Sequence, residues 1–136
     1  MDARSRKVLF SSASDHWSTP SECYGALNRE FSFDFDPCPL RADFDGLTAD
    51  WIGSIFINPP YSRIRAFLNK AMIEIKHNAD VIVFLVPART DTKWFHELVL
   101  GRAEVRFLRG RLKFGGQRNN APFPSMLCIF RREQTC

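Results

Sequence analysis

Apolar and polar positions along this chain change period several times, and each change predicts an element. After a polar leader, Thr19-Pro20-Ser21-Glu22 reads as a helix start. Thr19 offers a capping hydroxyl, Pro20 suits the first helical position, and Glu22 closes a capping box. The helix is predicted to run to Arg29 or Glu30. Phe31-Ser32-Phe33-Asp34-Phe35 alternates strictly, which predicts a short strand ending near Asp36-Pro37. A loop follows to Asp50, then a strand from about Gly53 to Ile57. Ser62 caps the next helix, where Ile64, Phe67, Leu68, Ala71, Met72 and Ile75 share one face. Val81 to Val86 is unbroken apolar sequence, as expected of a strand covered on both faces. A helix over Thr92 to Leu100 stops at Gly101. Glu104 to Leu108 and Ser125 to Arg131 read as two more strands, joined by a long, irregular hairpin loop rich in Gly, Arg and Pro.

Strands and helices alternate first and a hairpin comes last. That order predicts an α/β fold with a mainly parallel sheet and an antiparallel C-terminal hairpin. The 136 residues amount to one domain, 1–136, in which 1–14 read as a flexible leader. An apolar fraction of 45% and a charged fraction of 25% are those of an ordinary globular protein. No apolar stretch approaches the ~20 residues of a membrane span. The basic start leads into Ser11-Ser12-Ala13-Ser14 and not into an apolar signal core, so a cytoplasmic protein without a membrane partner is expected.

Cysteines and histidines add little chemistry. Cys23, Cys38, Cys128 and Cys136 form no C-x-x-C pair and have no histidine at zinc spacing, so neither a disulfide framework nor a metal site is expected. Cys23 and Cys128 read as core thiols. His77 reads as a surface residue in the last turn of its helix, and His16 and His96 as makers of local hydrogen bonds. The net charge of +4 is modest, but its distribution is uneven. From Arg102 to Arg118, arginine and lysine recur with Glu104 as the sole acid, which suggests a polyanionic partner.

The most informative segment is Ile55-Phe56-Ile57-Asn58-Pro59-Pro60-Tyr61. An apolar strand stops at an amide, two prolines and a tyrosine. Proline cannot donate to a sheet ladder, and Pro60 keeps Pro59 out of the helical region. The chain therefore leaves stiffly and presents Asn58 at the strand's carboxyl end, where open α/β sheets bind ligands. Such a corner suits attack by an exocyclic amine, whose lone pair is delocalised into its ring. The Asn58 side-chain oxygen and the Pro59 carbonyl can accept both amine hydrogens, which frees the lone pair. Tyr61 can stack on the base, a contact worth roughly 1–3 kcal/mol. The plainer reading is a strand-ending turn with an incidental aromatic.

Asn58-Pro59-Pro60-Tyr61 resembles the catalytic motif of amino-methyltransferases that use S-adenosylmethionine. Nearly end to end, the chain resembles the phage-type DNA N6-adenine methyltransferase family. Asp15-His16-Trp17-Ser18-Thr19-Pro20 is similar to its opening block and Asp36-Pro37-Cys38 to its cofactor turn. Two longer blocks follow, Leu85 to His96 and Arg106 to Gly116, and Ala121-Pro122-Phe123-Pro124-Ser125 is similar to the closing block.

The resemblance implies a compact Rossmann-like methyltransferase domain. It also implies a site-specific, adenine-directed DNA methyltransferase acting on double-stranded DNA with S-adenosyl-L-methionine, as a monomer or homodimer. Cofactor contacts fall on Trp17, Thr19, Pro20, Asp36, Pro37, Cys38, Asp50 and Asn58, with Trp51 packed nearby. The alternatives are that Thr19 only caps its helix, that Asp36 only makes an Asp-Pro turn, and that Asp50 lies on a plain surface loop. Catalysis falls on Asn58, Pro59, Pro60 and Tyr61. DNA and target-base contacts fall on Arg89, Lys93, Arg109, Arg111, Lys113, Phe114, Arg118 and Phe123. Phe114 or Phe123 would sandwich an extruded adenine against Tyr61, or else latch over the sheet, and Arg89 and Lys93 would touch phosphate or simply start a solvated helix.

Two departures from the family pattern stand out. No G-x-G follows the first strand, and only 21 residues separate Asp36 from Asn58, too few for two complete βα units. The fold is therefore expected to be abridged between cofactor and catalytic motifs, with one side of the pocket open. Two rival functions remain: methylation of another amine or amide, such as RNA guanine or protein glutamine, and an idle nucleic-acid-binding module on the same fold.

Overall fold

The computed structural model describes residues 18–40, 42–115 and 119–133. The leader, His16, Trp17, Gly116, Arg118 and Cys136 lie outside the described residues. The first helix, α1, spans Ser21–Phe31. Its start differs from the predicted capping box: Pro20 itself is the cap, extended at φ −58° and ψ 136°, and no side chain caps the helix. The Thr19 hydroxyl is thereby left for a partner outside the helix.

The predicted strand over Phe31 to Phe35 is not formed as such. α1 keeps Phe31, and Ser32 turns left-handed at φ 52°. The Ser32 and Phe33 N–H groups bond the Asn28 carbonyl and side chain, which takes two of the five residues into the helix end. What remains of that strand reaches the sheet through an isolated parallel bridge of Phe35 to Ile55 and through Asp34, whose N–H donates to the Ser54 carbonyl at 2.7 Å and whose carboxylate accepts from the Ser54 N–H at 2.8 Å.

Among the described residues four strands form the sheet: β1 (Gly53–Ile57), β2 (Ala79–Pro87), β3 (Glu104–Phe107) and β4 (Ser125–Arg131). Their spatial order is β1-β2-β4-β3. Only β1 and β2 run parallel, whereas β4 pairs antiparallel with both β2 and β3. The sheet is therefore mixed and mostly antiparallel, which corrects the expectation of a mainly parallel one. The last strand inserts between β2 and β3 instead of adding at an edge, so it contributes two antiparallel ladders. Its register with β2 runs unbroken from Val81↔Arg131 to Pro87↔Ser125.

Between β1 and β2 the chain makes a 3-10 turn (Tyr61–Arg63) and then helix α2 (Ile64–His77). Ser62 lies inside that turn, and Arg63, not Ser62, stands at the α2 cap. Beyond β2, the predicted helix over Thr92 to Leu100 is mostly a π-helical turn, Phe95–Val99, in which the Leu100 N–H reaches back to the Phe95 carbonyl at 2.8 Å. Gly101, at φ 79°, ends it as expected.

The two faces of the sheet bury different partners. On one face Ile55, Ile57, Phe84 and Cys128 pack against Phe67, Leu68 and Ala71 of α2 and against Phe95 and Val99 of the π-helical turn. On the other, Phe56, Val83, Leu85, Leu127 and Ile129 pack against Leu27 of α1 and against Phe114 and Ala121 of the hairpin loop. Strand β2 is covered on both sides, as its unbroken apolar run predicts. Because side chains alternate along a strand, Asn58 follows Phe56 onto the α1 face.

Candidate active site

Asn58 sits at the carboxyl end of β1, 5% exposed, and its side-chain nitrogen donates to the Thr19 hydroxyl oxygen at 3.2 Å. That bond crosses 39 residues of sequence and orients the amide, so that the oxygen is the end directed to other partners. Pro59 is buried, and Pro60 is extended at φ −57° and ψ 138°. The two prolines hold the corner open, as their chemistry requires.

Beside Asn58 lies a cavity of about 290 Å³. Thr19, Ser21 and Tyr24 line it from α1 and its approach, and Asp36, Cys38 and Asn58 line it from the sheet side. Burial pushes the Asp36 carboxyl up to about 6, although it accepts a hydrogen bond from the Cys38 N–H at 2.8 Å. A half-buried carboxylate of this kind gains from a cation placed in the cavity. The first turn of α1 adds backbone N–H groups that favour an anion. An α-amino acid group carries both charges, so the lining fits the aminoacyl end of S-adenosylmethionine. The volume is at the low end of ligand pockets, roughly 300–1,000 Å³, so the cavity takes part of a nucleoside-sized molecule and leaves the rest outside.

The other expected cofactor residues are placed less centrally. Pro20 caps α1, and Pro37 is buried and is not part of the cavity lining. Asp50 is exposed and is not part of the cavity lining. Trp51 is wholly buried: its indole donates to the Gly46 carbonyl at 2.8 Å and its ring stacks on Phe67. Gly46 makes a tight approach of another kind, to the backbone of Pro37. A Cβ there would lie 1.8 Å from the Pro37 carbonyl oxygen, so the loop folds onto the cofactor turn only with glycine.

Two residues of this region escaped sequence reasoning. Tyr24 lies one turn beyond the Pro20 cap and edges onto Phe56 at 5.1 Å, a placement that helical spacing from Pro20 could have shown. Glu74 is buried on α2, where Lys70, Asn78 and the Trp51 N–H all bond its carboxylate. Burial opposes the Glu74 charge, yet those hydrogen bonds hold its carboxyl below the usual range. A lone glutamate among apolar helix positions was the available signal.

Three rings gather between the Asn58 corner's Tyr61 and the hairpin loop. Tyr61 meets Phe123 edge to face at 5.3 Å, and Phe114 lies 6.5 Å from Phe123. The Arg89 guanidinium sits over the Phe123 ring at 5.8 Å. Phe114 is 3% exposed and belongs to the α1-side core, while Phe123 is half-buried. Both neighbours of Phe123 are tethered: the Pro122 carbonyl accepts from Arg111 at 2.7 Å and the Pro124 carbonyl from the Ala88 N–H at 2.8 Å. Arg109, Arg111, Lys113, Arg89 and Lys93 are all exposed. Arg106 differs from them, since it holds Glu30 with two hydrogen bonds at 2.7 and 2.8 Å and so ties β3 to α1.

The histidines and thiols have ordinary surroundings. His96 pairs with the Thr90 carbonyl at 2.7 Å, and His77 is exposed in the last turn of α2. Cys128 is buried, and burial pushes its thiol up to about 12. Among the described residues no cluster of His, Cys, Asp and Glu could hold a metal ion, and no helix is long and apolar enough to cross a membrane.

Two phage proteins, both named DNA N-6-adenine-methyltransferase, are similar to the chain. The one from Haemophilus phage HP1 (strain HP1c1) is 28% identical over 135 residues, covering 85% of this chain and 78% of its own length. The one from Escherichia phage T1 is 30% identical over 111 residues, covering 72% of this chain but 46% of its own length. The sequence profile of the family described as DNA N-6-adenine-methyltransferase (Dam) matches residues 7–135, a span that takes in the Asn58 corner, the Asp36 turn and the basic hairpin loop. The chain belongs to that family.

Proposed function

We propose that the chain is a DNA adenine-N6 methyltransferase that takes its methyl group from S-adenosylmethionine and acts on an adenine extruded from double-stranded DNA. Family membership carries the reaction, and the observation that supports this site for it is the Asn58–Thr19 bond beside the Asp36 cavity. When bound, S-adenosylmethionine supplies an electrophilic methyl group.

The chain's own residues do the rest. Asp36 offers its carboxylate to the donor's ammonium, and the first turn of α1 offers N–H groups to its carboxylate. Thr19 holds the Asn58 amide so that its oxygen and the Pro59 carbonyl accept the two adenine amine hydrogens. Polarised in this way, the amine needs no base to begin its attack, because its extra proton leaves readily once the methyl is on. Catalysis is then positioning and fixed dipoles.

Tyr61 takes one face of the adenine. Two rings that sandwich a base stand about 7 Å apart, twice a van der Waals spacing, and Tyr61 and Phe123 are closer than that. An incoming base therefore displaces Phe123 from its edge-on rest position. Arg109, Arg111 and Lys113 face the phosphates. A single Rossmann-like domain carries all of this in the cytoplasm of the host cell.

Labelled-methyl transfer to plasmid DNA, followed by nucleoside analysis, tests the reading. The expected product is N6-methyladenine; N4-methylcytosine as the sole product, or label in RNA or protein alone, overturns it.

A further inference from the structure

Among the described residues, one isolated backbone pair stitches the hairpin loop to the wall of the proposed cofactor cavity. Gly115 and Ser18 form an isolated antiparallel bridge, in which the Gly115 N–H donates to the Ser18 carbonyl at 2.9 Å. Ser18 and Thr19 line the cavity, and Thr19 holds Asn58. On the other strand of the bridge, Phe114 is buried in the α1-side core and Lys113, one of the cations proposed to meet DNA, is exposed. The approach is tight enough to specify its residue. A Cβ on Gly115 would lie 2.1 Å from Ser18 Oγ and 3.3 Å from Ser18 Cβ. Alanine there requires the Ser18 hydroxyl to rotate aside and the two backbones to part by a few tenths of an ångström, which loosens the bridge.

We propose that Gly115 is a positioning residue that couples the two binding events: donor bound against Ser18 and Thr19 sets the basic hairpin in its DNA-binding position, and bound DNA tightens the hold on the donor. This rests on the proposed methyl transfer to DNA and adds a route between its two substrates. Reciprocity is obligatory, since a coupling free energy between two sites acts equally in both directions. The bridge qualifies as the route because it joins the backbone of one site directly to that of the other.

The experiment measures the affinity of a plasmid fragment that the wild type methylates, with and without saturating S-adenosylhomocysteine, which fills the donor site without turnover. The wild type should bind DNA about 5- to 150-fold more tightly with the cofactor product present. Gly115→Ala should bring that ratio near one while leaving DNA affinity in the absence of cofactor little changed. The double variant Ser18→Gly/Gly115→Ala removes both clashing atoms and should restore the ratio to within about twofold of the wild type, the nearest remaining neighbour being the Ser18 carbonyl oxygen at 3.6 Å. That rescue keeps the test valid even if Gly115→Ala alone folds poorly. A wild type with a ratio of one, a folded Gly115→Ala with the wild-type ratio, or a double variant no better than Gly115→Ala each overturns the coupling. Wild-type protein that neither methylates nor binds any DNA overturns the functional reading itself, and the coupling with it.

Discussion

Asn58 stands between two regions built on opposite principles. On the side of the proposed donor cavity, side chains hold side chains: Thr19 fixes the Asn58 amide, and Asp36 lies half-buried with its charge poorly solvated. On the side proposed to meet DNA, exposed cations accompany a cluster of rings, and the Phe123 loop is held through carbonyls at Pro122 and Pro124. The first region is preorganised at a cost in folding stability. The second packs its rings against one another, and the proposed mechanism requires an extruded base to part them. A reacting amine needs acceptors fixed beforehand, whereas a duplex has to be distorted, which requires groups that can give way.

Mutations on the two sides should therefore read differently. Asn58→Ala should lower the rate of methyl transfer by on the order of 10²–10³ while cofactor binding stays nearly intact, by analogy with loss of one polarising group. Single-turnover kinetics beside calorimetry would show this, and near-wild-type turnover would remove Asn58 from the chemistry. Tyr61→Ala should lower kcat/KM by roughly 5- to 150-fold, the equivalent of taking away one stacked ring. With 2-aminopurine at the target position, the same variant should show a larger fluorescence rise on binding than the wild type, because a quencher has gone. Duplex-level fluorescence in both proteins argues against base extrusion.

Neutralising Arg109, Arg111 and Lys113 together should weaken DNA binding on the order of tenfold at moderate salt, with donor affinity in the absence of DNA untouched. The slope of log affinity against log salt should fall by about 0.9 for each phosphate that the variant no longer neutralises. An unchanged slope means that this loop faces away from DNA.

The smallest effect belongs to Asp36. Its folded carboxyl titrates near 6, above its ordinary 3.8, so the folded state binds the proton more tightly than the unfolded chain does. Stability from this group is fully present below about pH 4 and is lost as pH rises through 6. Asp36→Asn should therefore stabilise the free protein at pH 8 by roughly 1 kcal/mol, below the ceiling of about 3 kcal/mol for a sealed site, and by nothing at pH 4. Thermal melts at the two pH values give the answer. Donor binding should weaken in the same variant, so a gain in stability accompanies a loss of function.

Much of the layout was legible because the residues concerned act locally. The Gly53–Ile57 and Ser125–Arg131 strands have the bounds their apolar runs predict, and Ile64 to Ile75 present the predicted face. What sequence patterns missed depended on partners far along the chain. Alternation from Phe31 to Phe35 could not show that Asn28 would take Ser32 and Phe33 into a helix cap. Hairpin spacing could not show which edge of β4 would meet β2. In the site, Asn58, Thr19, Asp36 and Cys38 converge as motif order suggests, but the bond between Asn58 and Thr19 spans 39 residues and has no local signature. Phe114 and Phe123 looked alike in sequence; depth in the core separates them.

The central place of β4 also bears on how the chain folds as it is made. Strands β2 and β3 never pair with each other, and each is completed only by β4, the last of the four to be synthesised. Until residue 131 has left the ribosome, β2 presents an open, strongly apolar edge and β3 has no ladder at all. At about 5–20 residues per second, β2 waits a few seconds in that condition. Folding is thus gated by late, long-range pairing, which favours slow folding and makes the nascent chain a natural client for chaperones.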